Sequence, residues 1–96
     1  MGSGVSGLSG SSLSAEEKKR ITDGIINHTK EQNDGAANHY LSAIAKEKNS
    51  LDGYEKAEKV GMIRRDDPRW EYHESAYKSL VSQYDFFKKE RKRLNK

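Results

Sequence analysis

The clearest pattern in the chain is a stripe in its last third. Trp70, His73, Tyr77, Leu80, Tyr84, Phe87, Arg91 and Leu94 follow one another at alternating steps of three and four. That is heptad spacing, and it gathers side chains on one face of an α-helix. Val81 widens the stripe, and Tyr72 and Phe86 fall beside it, so the apolar face exceeds a two-stranded seam. A second stripe runs through Ala37, Tyr40, Ile44, Leu51, Tyr54 and Val60, interrupted at Glu47 or Lys48. Gly61 ends it, and "MIRRD" makes a turn. A short connection favours antiparallel neighbours. The pattern therefore predicts an all-α protein built on an elongated antiparallel helical hairpin, residues 36–61 with 68–95. Centring the turn between residues 65 and 66 would pair Tyr54 with Tyr77, Leu51 with Leu80 and Ile44 with Phe87, with His73 near residue 58.

The stretch 15–33 is poorer in large apolar residues, having Ile21, Ile25 and Ile26 alone. A simple hairpin offers them no partner. Either this helix continues into the first arm and pairs with another chain, or it folds back as a third bundle helix.

Local signals frame these elements. "SAEE" at Ser14 reads as a capping box, with Glu16 and Glu17 suited to the positive helix end. In "DDPRW", Asp67 suits the N-cap and Pro68 the first helical position. Asp-Gly recurs at residues 23–24, 34–35 and 52–53. Asp-Gly often marks a turn, which would break the chain at Asp34. The separations of 11 and 18 residues nevertheless match whole helical turns, as positions on one continuous helix would. The phase slightly favours continuity, and both architectures remain open.

Composition adds a boundary and a charge gradient. Residues 1–13 are mostly Gly and Ser and read as a flexible lead-in to a single helical domain, 14–96. About a third of the residues are charged, with a formal net charge of +3. Residues 88–96 alone carry five net positive charges, so a basic tail follows a nearly balanced body. There is no cysteine, which excludes disulfides and thiolate metal sites. No run approaches the roughly 20 apolar residues that span a bilayer, and no secretory signal is recognisable. The expected location is the cytoplasm, with signal-less secretion also open.

Candidate chemistry is sparse. His28 and His39 lie 11 residues apart, about 16 Å along a helix, too far for one zinc with ligands at about 2 Å. His73-Glu74 lacks the second histidine of a zinc-protease pattern. No phosphate loop or nucleophile set is present, and no metal or cofactor is expected. The aromatic series fits a helical core better than base stacking. Ile21, Ile25, Ile26, Tyr72 and Phe86 are the candidate interaction residues. Lys88, Lys89, Arg91, Lys92 and Arg93 could bind phosphates, or could serve only the negative end of a helix.

After the "DDP" turn, "YKSLVSQYDFF" at residues 77–87 is similar to the second helix of type III secretion needle subunits. Those are small helical hairpins with a Pro-containing turn, and they polymerise. The likeness spans 11 residues, and a basic tail stands here in place of the family's C-terminal segment. It implies a hairpin that assembles. The expected function is therefore non-enzymatic: a self-associating subunit or adaptor whose partner is itself or a larger complex. The alternative is a small nucleic-acid-binding protein using the basic helix end.

Overall fold

The computed structural model describes residues 13–96. The lead-in expected at residues 1–13 thus lies, except for Leu13, outside the described residues. Three helices follow in order: α1 (Ala15–Asn27), α2 (Lys30–Lys59) and α3 (Pro68–Leu94). No strand occurs among the described residues. The molecule is elongated, 48 × 32 × 17 Å.

Each start is capped by a side chain that satisfies free amides of the first turn. At Ser14, Oγ accepts from Glu17 N at 3.1 Å, and Ser14 N donates to Glu17 Oε1 at 3.1 Å. Thr29 does the same with Gln32, at 3.1 and 2.9 Å. This second capping box decides for a separate third helix and corrects where the chain breaks. The helix neither runs on through residues 15–59 nor breaks at Asp34; it breaks at His28 and Thr29, which are extended. Asp34-Gly35 and Asp52-Gly53 lie inside α2, and Asp23-Gly24 lies inside α1. The three Asp-Gly pairs therefore share no single helix.

Gly61 closes α2 with φ +78°. Gly61 N donates to Glu58 O and Met62 N to Ala57 O, the two bonds of a Schellman cap. Asn95, at φ 57°, ends α3 with the matching bonds to Lys92 and Arg91.

The hairpin forms, but its register differs from the expectation. Tyr40, not Ile44, meets Phe87, with ring centroids 5.2 Å apart. Tyr54 stacks on Trp70 at 6.2 Å rather than meeting Tyr77, and His73 reaches Glu47 at 2.6 Å. Helix α2 stops at Lys59 and α3 starts at Pro68, so the turn centres near residues 63 and 64. Moving the centre two residues moves each facing position about four, one helical turn.

Helix α1 folds back against α3, as the third-helix alternative required. Lys18 lies over the Phe86 ring at 6.0 Å, and Thr22 Oγ1 donates to Glu90 Oε2 at 3.4 Å, so α1 runs parallel to α3. The main core forms there. Ile21, Ile25 and Phe87 are buried, with Leu13, Ala36, Ala37, Tyr40, Tyr84, Phe86 and Leu94 packed around them. Ile21 and Ile25 thus have partners within their own chain. Burying one such side chain contributes about 1.5–3 kcal/mol.

The three-helix base covers only part of the hairpin. Helix α1 is 13 residues long and α2 is 30, about 20 Å against about 45 Å. Beyond the reach of α1, Ile44, Leu51, Tyr77, Leu80 and Val81 are only partly buried.

Candidate interaction surface

The most exposed large apolar side chains lie toward the free end of the hairpin, while Ile26 and Leu41 are about half exposed elsewhere. Val60, Met62 and Tyr72 are 70, 77 and 70% exposed. The Schellman cap ends α2 at Val60 and turns the backbone, which leaves Met62 outside the helix. Ile63 is partly buried at the same turn. A cleft of about 480 Å³ is lined here by Met62, Ile63, Asp66, Pro68 and the arginines at 64 and 69.

The tip is braced from within. Trp70 is buried beneath the Arg65 guanidinium, 4.2 Å from the ring centroid, and stacks on Tyr54. Arg65 also pairs with Glu74 at 2.9 Å. Asp67 accepts from the Arg69 amide at 2.9 Å and from both ends of its guanidinium at 3.0 and 2.8 Å. The Arg69 side chain, and then its amide, hold the Asp67 carboxyl down at about 2. The tip thus presents apolar residues from a fixed turn, which lowers the entropy lost on docking.

The five candidate interaction residues divide. Tyr72 stands at the tip, edge-on to His73 at 5.3 Å. Ile26 is exposed on α1, far along the chain from it. Phe86 is partly buried beside α1, while Ile21 and Ile25 belong to the core. Met62 and Val60 were missed as exposed residues. Gly61 was the available signal, since a left-handed cap throws the following residue clear of the helix.

The basic tail also divides. Arg91 donates to Asp34 Oδ1 at 2.9 Å and to the Lys96 carbonyl oxygen at 3.1 Å. Arg93 grips Glu90 at 2.7 and 2.8 Å, and these bonds lower the Glu90 pKa. Glu90 is buried and also accepts from Thr22, so its carboxylate links α1 to α3 while the Arg93 pair stays within α3. Both arginines therefore have structural partners. Lys88 sits over the Tyr84 ring at 4.9 Å, Lys89 approaches Asp85 at 3.9 Å, and Lys92 is exposed.

Among the described residues, no three His, Cys, Asp or Glu side chains are placed to hold a metal ion. Nor is any described helix long and apolar enough to cross a membrane. Comparison of the chain with known protein families, curated proteins and solved structures finds no match.

Proposed function

We propose that the chain is a non-enzymatic protein–protein interaction module, a self-associating small subunit or an adaptor in a larger cytoplasmic complex. The observation that carries this reading is the exposed apolar tip, Val60, Met62 and Tyr72, on a hairpin arm that α1 leaves half covered. Exposed Met, Tyr and other large apolar side chains on a braced element are typical of residues that become interface centres.

Sedimentation velocity over a wide concentration range tests it. The wild-type chain should associate as concentration rises. Met62→Asp combined with Tyr72→Asp should shift it to monomer while leaving its melting temperature unchanged. A wild-type chain that stays monomeric throughout would overturn self-association. Ile25→Asp serves as a contrast, because a carboxylate placed in the core should unfold the base.

Exposed Lys88, Lys89 and Lys92 keep a second reading in view, a nucleic-acid contact. Titration with duplex DNA and RNA at two salt concentrations separates the two. Steeply salt-dependent binding lost in Lys88→Glu with Lys92→Glu would favour the second reading.

A further inference from the structure

The turn that joins α2 to α3 brings three arginines to the tip, and each stands beside its own carboxylate. Arg65 pairs with Glu74 at 2.9 Å and Arg69 with Asp67 at 2.8 Å, the bonds that brace the turn. The third pair differs. Arg64 Nε stands 3.4 Å from Asp66 Oδ1, and the two side chains are 86 and 75% exposed. An ion pair so exposed contributes little to folding. Asp67 N donates to Arg64 O at 3.0 Å, so both residues sit on one closed turn.

These two charges share their surface with apolar groups. Arg64 and Asp66 line the tip cleft together with Met62, Ile63 and Pro68, and Met62 is largely exposed. A patch that holds a cation, an anion and an apolar side chain is complementary to itself. A twofold axis brings residue i of one copy to residue j of another, and j to i. The three arginines are matched by three carboxylates, so the turn has no positive excess to draw a polyanion.

We propose that two copies of the chain join tip to tip through a twofold contact, with Arg64 of each copy on Asp66 of the other. The proposal rests on the self-association read from the exposed tip, and it names the partner and the arrangement. Met62 of each copy lies near the axis, over the cleft of the other. Arg64 and Asp66 exchange a solvated pairing within their own turn for one across the interface, which fixes its register. A hairpin end is two helices wide, about 20 by 10 Å. The contact therefore lies below the roughly 1,200 Å² of stable complexes, and the dimer is transient. It uses one end of a molecule 48 Å long, so the dimer has roughly double that length.

Sedimentation equilibrium and small-angle X-ray scattering on the full chain test it. The wild-type chain should dimerise reversibly, and the dimer should be roughly twice as long as the monomer. Arg64→Asp alone sets carboxylates against carboxylates across the axis, and Asp66→Arg alone sets guanidiniums against guanidiniums. Each should weaken self-association about tenfold or more while the melting temperature holds. An equimolar mixture of the two variants should associate as tightly as wild type, because each cation again meets an anion. Three outcomes would overturn the twofold tip contact and leave self-association standing: both variants associating like wild type, a mixture no tighter than its components, or a dimer no longer than the monomer. A wild-type chain that is monomeric at every concentration would overturn both.

Discussion

Four glycines in the helical region do opposite things. Gly24, Gly35 and Gly53 lie inside helices, and a Cβ on any of them would meet nothing within 4 Å. Each therefore loosens its helix without admitting a close neighbour. Replacing any one with alanine should raise stability by up to about 1 kcal/mol, read from the urea midpoint. Gly61 adopts φ +78°, and Gly61→Ala should cost about 1–2 kcal/mol. Asp67 supplies a pH prediction. Its folded carboxyl is held at about 2, below the ordinary 3.8. The deprotonated form is the one that caps α3, so its contribution is complete above the ordinary value and is lost as pH falls through about 2. A carbon-detected NMR titration should place the Asp67 midpoint near 2. A midpoint at the ordinary value would show that the Arg69 bonds do not form in solution.

At the scale of elements, the most consequential signal was "TKEQ". Thr29 and Gln32 satisfy each other's backbone amides, and Thr29→Ala should cost about 1 kcal/mol, visible as a lower melting temperature by circular dichroism. An unchanged midpoint would mean that the α1–α2 break does not depend on this cap. The motif was readable beforehand, but it sits in a polar stretch where the Asp-Gly phase suggested a continuous helix. Ser14, Gly61 and the Asp67-Pro68 start were legible because each is a local rule obeyed locally. Register was not legible, because it depends on where the turn centres, and a two-residue error there moves every facing pair by a turn. The site was harder still. Periodicity marks Ile21 and Ile25 as buried without saying against what. A run of basic residues likewise cannot reveal that Asp34, 57 positions away in sequence, returns to hold Arg91.

At the scale of the whole molecule, one end has three helices and the other has two. The base combines the buried Ile21, Ile25 and Phe87 with the Glu90–Arg93 and Arg91–Asp34 pairs. The tip relies on Trp70, Tyr54 and Arg65. Between them the seam is half open, and Glu47 meets His73 across it. Such an arrangement should not open as one unit. Amides around residues 36–40 and 84–91 should exchange with deuterium more slowly than those around 44–51 and 76–81. Uniform protection along α2 and α3 would show the chain to be a single cooperative block.

The shortness of α1 then takes on a mechanical meaning. This helix clamps one end of the hairpin and the turn ties the other, so α2 and α3 should yield to one another first near their middle. The molecule is thus tied at both ends: a partner at the tip meets a fixed turn, and the slack lies in the middle of the same two helices.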